Sequence, residues 1–331
     1  MAPLAVLACV PLAWGTYGTA VKALFALPAP PPELAFQLLA GTVSAAALFL
    51  ASFVLGSPSG ERPPPLAASE SPPAAGVTLA AAELGGYLYV GAAAQIFGLR
   101  FTSVGRAAFI VQLTTLIVPL LDWALNGRRP PTQTLAACAV AFLGVSLLIT
   151  GDPAGVAAQT MFLGDALVGV AAMIYSLHVV RLSYHAPRFQ PLVLARTKEA
   201  VRLCCSATVL TGAVLLLPSQ ADALQAFAAS FMNDFTDAVT AVGIVLWTGL
   251  VTTAFPTWAQ SYGQSSVSPG TAQVVYSLQP LWSSLFAFLL LGETFSQQGI
   301  AGAVLILTAV LLAAYGTDED GTEIDESSAA K

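Results

Sequence analysis

Polar side chains set inside long apolar runs are the groups in this chain with chemistry to offer. Gln273, Tyr276, Gln279 and Ser283 share one run. At about 100° per residue, the other three fall within about 60° of Tyr276, so a helix presents them as one stripe. Gln112 and Thr115 share a face of another run, with Pro119 below. Trp14 and Tyr17 lie three apart mid-run, Tyr87 follows Glu83 by one turn, and Tyr175 and His178 share a face. Amide, phenol, indole and imidazole groups at bilayer depth either bond neighbouring helices or face a polar solute. Trp14, Tyr17, Tyr87, Gln112, Tyr175, His178, Tyr276 and Gln279 are the candidate solute-lining residues. Glu83 is the candidate proton-coupling carboxylate. No catalytic set is visible: His178 and His185 are the two histidines, seven apart, and there is no HExxH, Ser/His/Asp grouping or phosphate-cradling glycine loop. The chain reads as a non-enzyme without cofactor or metal. Its four cysteines, Cys9, Cys138, Cys204 and Cys205, lie in apolar runs without metal-ligand spacing.

The composition says what must position these groups. Charged residues are 9% and hydrophobic residues 56% of 331, and mean hydropathy is +0.76. A soluble chain carries about 25% charge, so soluble folds are excluded, and twelve Lys and Arg without a basic cluster exclude nucleic acid. The net charge of −6 resides mostly in residues 317–331, which carry −5, leaving −1 for the body. A bilayer core takes about 20 apolar residues per helix. Ten spans are predicted: Pro3–Leu27, Glu33–Leu55, Leu79–Leu99, Ser103–Leu125, Gln133–Thr150, Met161–Leu182, Val201–Leu217, Ala238–Trp258, Thr271–Leu291 and Ile300–Tyr315. The first lacks a basic leader and reads as a span, not a cleaved signal. Residues 56–77 form a proline-rich loop, and 317–331 a disordered acidic tail. With the N-terminus cytosolic, inner flanks hold Arg62, Arg128, Arg129, Arg181, Arg188, Arg196, Lys198 and Arg202, and outer flanks hold Lys22, Arg100 and Arg106. That bias predicts both termini in the cytosol.

The chain also repeats. Shifted by 165 residues, 94–151 matches 259–316 at 16 of 58 positions without a gap. Gly98, Gly105, Gly127 and Gly151 fall on Gly263, Gly270, Gly292 and Gly316, and Ala94-Gln95 falls on Ala259-Gln260. Five spans per repeat is odd, so the halves run in opposite directions. The predicted fold is an all-α polytopic membrane protein of ten transmembrane helices in two inverted five-helix repeats, 1–151 and 160–316. Inverted repeats are the architecture of secondary transporters, with the solute site near the midplane between the halves. Pro119 and Pro280 interrupt the backbone ladder there and are hinge candidates, although Pro119 falls on Ser284 and Pro280 on Thr115. Lys22, Arg106 and Arg181 lie at span ends and Arg202 in a flank, so no cation is placed at the centre. The expected solute is therefore neutral, zwitterionic or aromatic.

The Trp14-Gly15 pair followed by Lys22, the run GLRFTSVGRAAFIVQLTTLIVPLLDWALNGRRP from Gly98, and SPGTAQVVYSLQPLWSSLFAFLLLGETFS from Ser268 resemble the drug/metabolite transporter superfamily. The branch they resemble is EamA-like, and the resemblance covers residues 3–316. The span ending Leu289–Glu293 as LLLGE is typical of that family. Asn126-Gly127-Arg128 departs from its Gly-Glu pair, and Gln37 stands where many members carry arginine. The resemblance implies a secondary-active, alternating-access carrier of small metabolites, often an exporter. Its partners would be a small-molecule substrate and the lipid bilayer, with monomer and homodimer both open. The plasma membrane and a plastid envelope stand as resident membranes. The alternative readings are a sugar-phosphate-type exchanger and a non-transporting membrane scaffold of the same fold.

Overall fold

Lipid offers no hydrogen bonds to the backbone, so a spanning segment must satisfy its own amide groups, which helices do. The computed structural model describes residues 3–54, 74–127, 132–150, 156–266, 272, 275–294, 296–309 and 311–312. Among these it is helical with no strand. The helices are α1 Pro3–Phe25, α2 Glu33–Val54, α3 Ala74–Leu99, α4 Val104–Leu125, α5 Thr132–Thr150, α6 Val156–His185, α7 Pro191–Leu216, α8 Pro218–Asn233, α9 Phe235–Gly263, α10 Gln279–Leu291 and α11 Gln297–Ala309. Seven are long and apolar enough to cross a bilayer, and α10 and α11 are shorter apolar helices. With α5, they make the ten crossings. The outer surface is apolar, with Phe53, Phe142, Phe162, Leu216 and Leu290 exposed, as lipid contact requires. Most of the proline-rich stretch and all of the acidic tail lie outside the described residues.

Helix α3 starts at Ala74, so the last residues of the expected loop 56–77 are helical, and two further elements differ from the sequence reading. The stretch expected as a loop before α9 holds α8, opened by Pro218 at its first turn. Its Phe227 is buried in the main core with Ala241 and Val245 of α9, which docks the helix on the bundle. Helix α7 begins at Pro191, ten residues before the predicted span.

The repeat is physical. Both Gly127 and Gly292, 165 apart, end their helices in the left-handed region at φ 72° and 66°. Their amides return to the carbonyls of Trp123 and Phe288, also 165 apart. Only glycine takes that conformation without strain. The packing follows a swap of halves: α3 lies on α6 as α9 lies on α1, and α7 meets α3 as α2 meets α9. Likewise α4 lies on α6 as α10 lies on α1, while α2 with α7 and α4 with α10 are self-paired. Each half therefore buries its faces in the other rather than within itself.

Two close approaches carry that interleaving. A Cβ on Gly98 would sit 2.7 Å from Val168 Cγ2 of α6, and one on Gly263 2.3 Å from Leu7 Cγ of α1. Small residues here let helix axes approach, the main route to association where no hydrophobic gain is available.

Candidate functional site

A cavity of about 130 Å3, open at its mouth, lies between the repeats. The first repeat contributes Trp14 and Tyr17 from α1, Leu88, Ala92 and Gln95 from α3, and Val111, Gln112 and Thr114 from α4. The second contributes Tyr175, His178 and Val179 from α6, Arg202 from α7, Thr252, Thr253, Pro256, Thr257 and Gln260 from α9, and Tyr276 and Gln279 around the start of α10. The cavity thus gathers Trp14, Tyr17, Gln112, Tyr175, His178, Tyr276 and Gln279 from four places in the sequence. Tyr87, Glu83, Pro119 and Pro280 do not line it, and Gln273 lies outside the described residues.

The helices are loosened where they reach this cavity. In α4 the ladder slips to shorter-range bonds at Gln112–Leu113: Leu113 N–H donates to Ile110 O at 3.1 Å and Thr115 N–H to Gln112 O at 3.0 Å. In the second repeat Ser277–Leu278 form the matching turn, with Leu278 N–H donating to Val275 O at 3.3 Å. These two breaks are 165 residues apart, so they belong to the repeat and not to the prolines, which are unmatched. Helix α1 is interrupted by turns at Cys9 and Thr16, the second between Trp14 and Tyr17. Helix α9 widens into a π turn at Leu250–Ala254, ahead of Pro256, whose missing N–H cannot continue the ladder. That turn presents Thr252 and Thr253 to the cavity. Pro256 was not among the sequence candidates, although a proline inside an apolar run was the signal that singled out Pro119 and Pro280.

Hydrogen bonds fix the wall. Tyr175 Oη donates to Gln95 Oε1 at 2.8 Å, joining α6 to α3. Gln112 Nε2 donates to Thr115 Oγ1 at 2.5 Å. Gln264 Nε2 donates to Tyr276 Oη at 3.3 Å, and the Tyr276 ring stands edge-on to Trp14 with centroids 5.2 Å apart. Trp247 Nε1 donates to Thr16 Oγ1 at 2.9 Å, tying α9 to the break in α1.

Charge at depth is where the sequence reading is corrected. Arg202 lines the cavity and is 8% exposed. It is the twelfth residue of a 26-residue helix, close to its middle. Hydropathy started the span at Val201 because the turns before it carry Arg196, Lys198 and Glu199. Those turns are drawn inside because α7 packs on α2 and α3, and Lys198 and Glu199 are fully buried. A cation therefore stands at the centre, and an anionic solute is not excluded.

The remaining charges form ties at the two ends of the bundle. Glu83 accepts from Arg181 Nε, from Arg181 Nη2 at 2.9 Å and from His185 Nε2 at 3.0 Å, with Tyr87 Oη at 3.5 Å. Its oxygens are committed to joining α3 and α6, and Tyr87 belongs to that cluster. At the other end Arg106 Nη2 donates to Asp165 Oδ2 at 2.5 Å, and Thr102 Oγ1 to Asp165 Oδ1 at 2.6 Å, all three buried. Beside them Glu293 accepts the amides of Val104 and Gly105 at 3.1 and 3.2 Å, capping the start of α4. Arg100 pairs with Glu33 on the same side.

Ten crossings, inverted halves and a shared central cavity define a membrane protein built like a solute carrier. The model of the EamA-like transporter family matches residues 2–150 and 189–315, and the chain belongs to that family. An uncharacterized transporter from Archaeoglobus fulgidus is 23% identical over 68% of this chain and 65% of its own length. A second from the same organism is 22% identical over 66% and 69%. A crystal structure of a protein shares the fold, with a TM-score of 0.61 over 94% of this chain and 96% of that one, at 17% identity.

Proposed function

We propose that this protein is a secondary-active carrier that moves a small metabolite across the membrane by alternating access. The supporting observation is the cavity: both halves build it, and helices on both sides of it break at matched positions. A break halfway along a helix lets one end swing while the other stays packed. The charged ties at the two ends are the contacts that such a motion would break and remake in turn. Trp14, Tyr17, Tyr175 and Tyr276 offer aromatic faces to the solute, and Gln112, Gln279 and His178 offer hydrogen bonds. Export is the direction that the resemblance favours.

Both termini are assigned to the cytosol. The excess of basic residues on the inner flanks of the sequence supports this reading. Proton coupling at Glu83 would require the Arg181 and His185 pairs to open first.

The test is uptake into proteoliposomes preloaded with unlabelled solute, across amino acids, nucleosides, organic acids and sugar phosphates. Saturable counterflow, reduced about tenfold or more in Gln279→Ala by loss of a hydrogen bond at the site, is the expected result. Binding of a solute without any counterflow would move the protein to the scaffold reading.

A further inference from the structure

Among the described residues lining the cavity, Arg202 is the one cation, and the protein answers it only in part. Its one ion pair is a 3.3 Å contact from Nη1 to Glu199 Oε1 on the same helix, and its Nε has no partner. One turn away, Lys198 is fully buried and its Nζ has no partner either. His178, across the cavity on α6 and 2% exposed, has an unpartnered Nε2. Buried donors of this kind are costly unless something accepts from them. The acids tied at the two ends of the bundle are engaged elsewhere: Asp165 with Arg106, Glu83 with Arg181 and His185, Glu33 with Arg100.

We propose that the solute is a monocarboxylate, its carboxylate held by Arg202 and His178 with Lys198 behind them, and its apolar body against Trp14 and Tyr276. This rests on the carrier reading and names its substrate class. A guanidinium fork matches a carboxylate. A dianion is disfavoured, because Glu199 already holds its own carboxylate beside the cation that lines the cavity.

The full-length protein in detergent is titrated by calorimetry with phenylacetate and branched aliphatic carboxylates, their neutral amides, and phenyl phosphate. At least one acid is expected to bind about tenfold or more tighter than its amide, as an ionic hydrogen bond adds to a neutral one. That preference is lost in Arg202→Gln and partly kept in Arg202→Lys. Equal binding of acid and amide by the unaltered protein overturns the proposal without any variant. So does an absence of carboxylate binding, tighter binding of phenyl phosphate, or a folded Arg202→Gln protein that keeps the preference. Counterflow separates the two readings: acid-selective binding without counterflow keeps the site and removes the carrier, and equal counterflow of acid and amide does the reverse.

Discussion

At the residue scale, the strongest commitments are a glycine that nothing can replace and a charge pair that nothing can halve. Gly263 has Leu7 where its Cβ would be, at 2.3 Å, so Gly263→Ala forces α1 and α9 apart. Overpacking of this kind costs about 1–3 kcal/mol. Gly243, on the same helix, has nothing within 4 Å, and Gly243→Ala should be neutral or stabilising by up to about 1 kcal/mol through helix propensity. Thermal unfolding in detergent compares the two, and equal losses would sink the close-approach argument. Asp165→Ala leaves Arg106 charged in a site where their side chains are 1% and 3% exposed, and should cost about 3–5 kcal/mol. Asp165→Leu combined with Arg106→Met should recover most of it. The sequence showed the aromatic and amide groups of the cavity because polar side chains stand out within apolar runs. It hid Arg202 and Asp165, because charges near the ends of an apolar run look like flanks until packing shows that the helix continues past them.

At the element scale, the repeat controls where helices yield. The turns at Gln112–Leu113 and Ser277–Leu278 match each other, whereas Pro119 and Pro280 do not. Pro280 lies two residues past its turn and withholds a bond from the Tyr276 carbonyl; Pro119 lies six past and withholds one from Thr115. Pro280→Ala should therefore slow turnover more than Pro119→Ala, with both proteins folding as before. Proteoliposome turnover measures this, and unchanged rates in both would remove the hinge role. The ten crossings and the inverted repeat were legible because lipid imposes a long apolar run per helix and glycine marks the turns. The early start of α7 and the whole of α8 were not, since a polar turn buried by a neighbour and a short amphipathic helix leave the same hydropathy trace as a loop.

At the scale of the whole molecule, the interleaved packing predicts that neither half folds alone. Faces of α1 are satisfied by α9 and α10, and faces of α3 by α6 and α7. A chain ending at residue 155 should be degraded or aggregate when expressed alone. Coexpressed with residues 156–331, it should form a complex that purifies together, and failure to copurify would contradict the interleaved packing.

The Leu7–Gly263 contact also sets a schedule for biosynthesis. Those residues are 256 positions apart, so at a synthesis rate of about 5–20 residues per second α1 waits about 13–50 s for its partner. Throughout that interval the nascent chain sits in the bilayer with Leu7 and its neighbours facing lipid, and with Arg106 deprived of Asp165 until α6 has entered. The order of emergence, from first helix to ninth, makes early spans the natural clients of whatever insertion machinery shields unfinished membrane proteins.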